Sequence, residues 1–193
     1  MKAKTYVLYW LPIVLMAVLS FVLYRLGAHA SENGFIENVQ VVVLAVAFVL
    51  WLVSLKDAVP FKEDGFHPLF AAFFALLAYI VMGRELTWLE VVGLPEAQAD
   101  LLELCSVVIA LVLLLSFALI WLLKVTNRSR ILKHFLLSET FKLALISLFF
   151  VLLGDAFEKN LFHVNTHQFF EEMAELTGYL FIMLSAIVFR KQL

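Results

Sequence analysis

The chain of 193 residues is 64% apolar and 16% charged, with a mean hydropathy of +0.98. Soluble domains are usually about 45–50% apolar, so this composition excludes a disordered chain, a coiled coil and an ordinary soluble globule. A spanning helix needs about 20 apolar residues, so the length allows about six spans with short loops and no separate soluble domain. The single cysteine, Cys105, excludes a disulfide framework and a multi-cysteine metal site.

Continuous apolar runs predict an all-α, six-helix transmembrane bundle that forms one integral membrane domain over residues 1–193. Each run is apolar over about 18 residues or more, which excludes the alternating pattern of a β-barrel. The first run resembles a signal peptide, but it is too long for one, and we expect a retained helix. The six predicted spans are 6–26, 35–55, 68–85, 101–123, 140–157 and 169–189.

The distribution of Lys and Arg predicts that both termini lie in the cytoplasm. With the N-terminus inside, the cytoplasmic segments hold eleven of the 14 basic residues and only four of the 16 acids. The outer side holds three basic residues, Arg25, Arg84 and Lys159. All loops are short, which is where the positive-inside rule applies. The basic run from Lys124 to Lys133 predicts contact with anionic lipid rather than with nucleic acid.

Twelve acids fall on the outer side, and the positive-inside rule does not explain them. Capping and the helix dipole favour acids in a first turn, which accounts for Glu37, Asp100, Glu103, Glu171 and Glu172. The dipole repels acids at a helix C-terminus, where Glu85 and Asp155 lie. Asp155 can pair with Lys159 four residues later, and Glu85 can pair with Arg84.

Glu175, Gln40 and Asp155 lie at membrane depth when residues are counted from the cytoplasmic boundary. Glu175 falls about one turn inside the hydrocarbon, taking about 1.5 Å per residue from Arg190. An acid at the centre of a bilayer costs about 2.5–3.5 kcal/mol, so such residues face the bundle interior or water and are functional candidates. We therefore predict an outward-opening polar pocket formed by Glu37, Gln40, Arg84, Glu85, Asp155, His167, Glu171 and Glu175.

His167, Glu171 and Glu175 follow one another at four-residue spacing, which places them on one stripe of the sixth span. A His-x-x-x-Glu pair can hold a divalent metal such as zinc, manganese or iron, and facing helices can supply further carboxylates. Glu85, Asp155 and Glu175 are the candidates for those remaining ligands. A hydrogen-bonded, partly protonated cluster and a path for protons or ions are the alternatives.

Three classes of function remain open. In a metal-dependent enzyme acting on a lipid or lipid-linked substrate, Glu85, Asp155 and Glu175 would be the catalytic carboxylates and the metal would activate water. In a proton- or cation-coupled transport subunit, the carboxylates would form the relay. In a non-catalytic subunit, the bundle would pack against a membrane protein partner or a second copy. Few polar residues continue toward the inner face, which argues against a path through the bundle.

Three short motifs resemble an uncharacterised family of small bacterial polytopic membrane proteins with E-x-x-Q, R/E-E-(I/L)-(S/T)-W and E-E-x-x-E-L elements. Here these are Glu37-x-x-Gln40, Arg84-Glu85-Leu86-Thr87-Trp88 and Glu171-Glu172-x-x-Glu175-Leu176. The chain departs from the family at Leu89, where Gly is usual. The resemblance implies a multi-pass protein of the bacterial inner (cytoplasmic) membrane and implies no particular activity.

Overall fold

A computed structural model describes residues 35–58, 68–85 and 95–193, together with residues 10, 12–16, 18, 19 and 22. The side chains of residues 35, 96, 99, 100 and 103 lie outside this description. Most of the predicted first span, 6–26, and the Leu86-Thr87-Trp88 part of the second motif also lie outside the described residues.

The described chain consists of α-helices joined by turns. Five of these helices are long and apolar enough to cross a membrane, and they coincide with the second to sixth predicted spans. The prediction of an all-helical chain with several helices able to span a membrane is therefore confirmed, whereas the count of six spans and the side of the termini stay predictions. The helices are α1 (Phe35–Asp57), α2 (Pro68–Glu85), α3 (Glu96–Lys124), α4 (Arg128–Leu136), α5 (Glu139–Glu158) and α6 (His167–Gln192).

Helix α6 is the centre of the bundle, with α5 and α1 packed along it and α2 packed on α1. Two glycines let α5 and α6 approach closely, as small residues do between membrane helices. A Cβ atom at Gly178 would lie only 2.9 Å from Cγ2 of Val151 and 3.0 Å from the carbonyl oxygen of Ser147. Gly154 lies opposite Glu175 in the same way. The neighbourhood of Glu175 is therefore set by a close helix contact.

An aromatic core connects α1, α2 and α6 toward the end of the bundle opposite Glu175. The Trp51 ring is fully buried and lies 4.8 Å from the Phe74 ring and 5.2 Å from the Phe189 ring, measured between centroids. Beyond this core, Nε of Arg190 donates to Oδ2 of Asp57 at 2.7 Å, which joins the last turns of α6 and α1.

Helix α3 lies at the edge of the described bundle, where it packs beside α2. In the most apolar 18-residue stretch of α3, only 6% of the residues are buried, against 67% for the corresponding stretch of α6. Helix α4 is not among the predicted spans, because its nine residues are mostly polar and fall within a basic loop. Its Phe135 ring stacks on the Phe70 ring of α2 at 3.9 Å between centroids.

The helices alternate in direction, so each end of the bundle contains both first turns and last turns of helices. The acidic end comprises the first turns of α1 and α6 and the last turns of α2 and α5; the basic end is the opposite one. Met16, a described residue of the first predicted span, packs near the acidic end against Phe169, Met173 and Leu176 of α6.

Candidate functional site

Arg84, in the last turn of α2, contacts two carboxylates at the acidic end. Its Nη2 and Nε atoms donate to Oε1 of the neighbouring Glu85 at 3.0 and 3.1 Å. The same Nη2 atom forms an ion pair with Oε1 of Glu175 on α6. The Glu85 and Glu175 side chains are only 9% and 4% exposed, whereas that of Arg84 is 54% exposed. A half-exposed guanidinium therefore bridges two buried carboxylates.

Tyr179 completes this contact set, which we call the Arg84 network (Arg84, Glu85, Glu175 and Tyr179). Its hydroxyl donates to Oε1 of Glu85 at 2.7 Å and lies 3.3 Å from Nη2 of Arg84. Tyr179 was not among the predicted pocket residues, because a tyrosine near the end of an apolar run is common in membrane helices. The missed signal is its position four residues after Glu175, which continues the stripe of His167 and Glu171.

Gly154 of α5 provides the space that Glu175 occupies. A Cβ atom at this position would lie 2.6 Å from Cγ of Glu175 and 3.5 Å from the carbonyl oxygen of Glu171. Real Cβ atoms essentially never approach a carbon atom as closely as the first of these distances. The Glu175 side chain therefore lies directly against the α5 backbone, which holds it toward α2.

Gln40 and Glu172 form a second polar contact, between α1 and α6. Nε2 of the fully buried Gln40 donates to the Glu172 carbonyl oxygen at 3.0 Å and to its Oε2 atom at 2.7 Å. Among the described residues, no donor reaches the buried Oε1 atom of Gln40. The charges of Glu37, Glu175 and Glu85 all act on Glu172. This contact adds a carboxylate to the acidic end without adding a cation.

Asp155 makes its ion pair away from the Arg84 network. Its Oδ1 and Oδ2 atoms accept from Nζ of Lys159 at 2.8 and 2.7 Å, and its side chain is 44% exposed. Hydrogen bonding to Asp155 raises the pKa of the Lys159 ammonium above its usual value. The expected Asp155–Lys159 pair is therefore present, and it directs the Asp155 carboxylate to the exposed side of α5.

His167 and Glu171 lie in the first two turns of α6, above Glu175. The Nδ1 atom of His167 is buried and accepts no hydrogen bond from the described residues. Glu171 is partly buried, and the charges of Glu175, Glu158 and Arg84 act on it. Across the described ranges, no three His, Cys, Asp or Glu side chains are close enough together to hold a metal ion. The divalent metal stays a prediction.

The structure thus joins part of the predicted pocket by direct contact. Arg84 forms ion pairs with both Glu85 and Glu175. Glu37 lies close enough to Glu172, and Glu171 close enough to Glu175, for their charges to interact. Asp155 is engaged elsewhere.

Comparison with known proteins adds no assignment: the sequence matches no protein-family model, no curated protein and no solved structure. The proposed role of the acidic end therefore depends on its own geometry and charge.

Proposed function

We propose that the protein takes up and releases a proton at the acidic end of its bundle, as a proton-coupled transport subunit of the membrane. One observation carries this proposal: among the described residues, two buried carboxylates, Glu85 and Glu175, share one contacting cation, Arg84. Arg84 is shared by Glu85 and Glu175, whose side chains are both nearly buried. With both carboxylates ionised, the Arg84 network would hold one uncompensated negative charge.

Such a charge is unfavourable where water is scarce. An unpaired buried ion loses its hydration, and even insertion scales assign about 2.5–3.5 kcal/mol to an acid at the bilayer centre. Two responses are available to carboxylates in this position, namely binding a cation or binding a proton. Binding either ion reduces the net negative charge of the network. Its state then depends on the pH or the cation concentration of the solution at the acidic end.

Neighbouring acids add to the negative charge around the Arg84 network. Glu171 lies under the influence of the Glu175 charge, and Glu172 lies under that of Glu37, Glu85 and Glu175. The Lys and Arg residues that the structure describes at this end are Arg84 and Lys159, and Lys159 is paired with Asp155. In the part of the acidic end that the structure describes, acids therefore outnumber Lys and Arg beyond the Arg84 network as well as within it.

The position of the guanidinium favours a proton over a metal ion. One Nη2 atom of Arg84 contacts Oε1 of Glu85 and Oε1 of Glu175, so it occupies the place from which a metal would bridge them. A proton needs no such space, because it can be held on one carboxyl oxygen. The metal-dependent enzyme acting on a lipid-linked substrate stays a prediction from the sequence.

The bundle interior supports exchange with one side rather than an open channel. Buried hydroxyl groups do lie deeper in α1 and α6, at Ser54, Thr177 and Ser185. Each donates to a carbonyl oxygen of its own helix, at Leu50, Met173 and Ile182 respectively. Coupling would therefore proceed through helix movement when the network is protonated.

The proposal is tested by infrared difference spectroscopy of the full chain in lipid nanodiscs during a pH change. We expect a C=O band from a protonated carboxyl group that titrates, shifts in D₂O, and is lost in Glu175→Gln or Glu85→Gln. Asp155→Asn is the matched control and leaves the band unchanged, because Asp155 is half exposed and paired with Lys159.

A second measurement connects the band to transport. Vesicles that contain the protein and a trapped pH dye should show proton movement that Glu175→Gln abolishes and Asp155→Asn preserves. A titrating band that is indifferent to both Glu175→Gln and Glu85→Gln would overturn the proposal. So would one bound metal ion per chain that is lost in a His167→Ala, Glu171→Ala variant.

A further inference from the structure

We infer that α4 is an interfacial helix that binds the phosphate headgroups of anionic phospholipids through Arg130 and Lys133. This inference concerns the basic end and is independent of the proposed proton site. It begins with the division of α4 into two faces. Ile131 and Phe135, four residues apart, are buried, whereas Arg130 and Lys133 are exposed on the opposite side.

The buried face fixes α4 to the bundle. The Phe135 ring lies 3.9 Å from the Phe70 ring and 5.5 Å from the Phe141 ring, measured between centroids. At the start of the helix, Nη1 of Arg128 donates to the Leu122 carbonyl oxygen at 2.7 Å. Arg128 therefore satisfies an open carbonyl in the last turn of α3. Its role is structural, and it is not among the proposed lipid ligands.

The turn into α4 marks the place where the chain leaves the span of α3. Asn127 has a φ of 54°, in the left-handed region that asparagine tolerates better than most residues. Trp121, one turn before the end of α3, packs against Phe70 at 5.3 Å between centroids. Tryptophan is enriched where hydrocarbon meets headgroups. Helix α4 begins shortly after Trp121 and the end of α3, at the expected boundary between hydrocarbon and headgroups. This position fits a helix that lies along the membrane surface.

Exposed leucines flank the basic face and identify the occupant as a lipid. Leu132, Leu136 and Leu137 are 40%, 42% and 67% exposed, beside Arg130 and Lys133. A soluble anion would use the cations but not this apolar edge. A phospholipid uses both, because its phosphate meets the basic groups and its acyl chains cover the leucines.

Charge complementarity decides which phospholipids fit. Residues 124–142 contain five Lys or Arg residues and one acid, Glu139. Each Lys or Arg near an anionic membrane surface contributes about fivefold to binding. Phosphatidylglycerol carries a net negative charge that a zwitterionic phosphatidylcholine lacks. We therefore expect α4 to retain the former over the latter.

The test is native mass spectrometry of the full chain in mild detergent, with phosphatidylglycerol and phosphatidylcholine of identical acyl chains as probes. The wild-type protein should retain phosphatidylglycerol preferentially. Arg130→Gln with Lys133→Gln should weaken this binding about 30-fold, and Lys133→Gln alone about fivefold. Thermal unfolding of both variants should stay close to that of the wild type, because interactions of exposed charged side chains contribute little to stability.

A matched control removes two other cations from the basic end. Lys56→Gln with Lys191→Gln changes the net charge equally, at exposed positions on α1 and α6. This variant should retain phosphatidylglycerol much as the wild type does, because a single lipid held in detergent depends on the cations that contact its phosphate and not on the charge of the whole basic end. The inference is overturned if this control loses as much binding as the α4 double variant, or if both lipids bind equally. It is also overturned if glycerophosphoglycerol, which has no acyl chains, binds as tightly as the intact lipid.

Discussion

Helices α6 and α3 have opposite roles, although both are long enough to span a membrane. About two thirds of the residues in the most apolar stretch of α6 are buried, and this helix carries Glu175 and Tyr179. Helix α3 is the more apolar of the two, yet only 6% of the residues in its most apolar stretch are buried. In lipid an apolar side chain gains little by leaving the acyl chains, whereas a polar one must be enclosed. Polarity, more than hydrophobicity, therefore determines which helix becomes the centre of this bundle.

The largest effect is expected where α6 encloses charge. Arg84→Ala removes the cation that Glu85 and Glu175 share and leaves two buried carboxylates without it. Breaking a fully buried pair costs about 3–5 kcal/mol. Because Arg84 is 54% exposed, we expect a smaller loss, about 2–3 kcal/mol, in the free energy of unfolding measured by denaturation in mixed micelles.

Lys159→Ala is the control for this prediction. It also removes one basic residue from an ion pair at the acidic end, but its partner Asp155 is half exposed. We expect no measurable change in unfolding, because water and salt screen such a pair. Equal losses for the two variants would show that burial of Glu175 does not determine stability.

A second prediction concerns the close contact between α6 and α5. Gly178→Ala places a Cβ atom 3.0 Å from the backbone oxygen of Ser147, so the helices must separate. We expect a loss of about 1–2 kcal/mol in the free energy of unfolding, the usual range for overpacking. The same substitution at Gly83 meets nothing within 4 Å. Gly83→Ala should be neutral or slightly stabilising, because alanine favours helix. If both substitutions destabilise the protein, the loss at Gly178 does not come from the close contact between α5 and α6.

A third and smaller effect is expected at the contact between α1 and α6. A double-mutant cycle of Gln40→Leu with Glu172→Leu should give a coupling energy of about 0.6 kcal/mol, typical of hydrogen bonds between membrane helices. The two single variants are compared with the double variant in the same unfolding assay. A cycle of Gln40→Leu with Asp155→Ala should be additive, because Asp155 bonds to Lys159 instead. Coupling in both cycles would mean that Gln40 acts through the bundle as a whole.

The positions of the spans could be predicted because they depend on hydropathy alone. The predicted span 68–85 coincides with α2, and the predicted spans 140–157 and 169–189 lie within α5 and α6. Helix α4 was missed because it is too short and too polar for that criterion. Its only sequence signal is the spacing of Ile131 and Phe135, which is weak in nine residues.

The candidate site was predictable in composition but not in its pairings. Depth and charge identified Glu85, Glu175 and Arg84, and these residues do meet. Depth also selected Asp155, although it bonds to Lys159 on the exposed side of α5. Which face of α5 meets α6 depends on Gly154 and on its fit against Glu175, and a single sequence does not reveal such a contact.

The smallest effect is expected on α3, and it tests the comparison most directly. Leu115 is 65% exposed in the described structure, whereas Leu44 of α1 is 1% exposed within the core. Leu44→Ala removes packing contacts that neighbouring side chains cannot restore, so we expect a loss of about 2 kcal/mol in the free energy of unfolding. Leu115→Ala should change it by less than about 0.5 kcal/mol, because acyl chains fill the space in both the folded and unfolded states. If Leu115→Ala instead costs as much as Leu44→Ala, its face of α3 packs against protein rather than lipid, and the contrast between α3 and α6 fails.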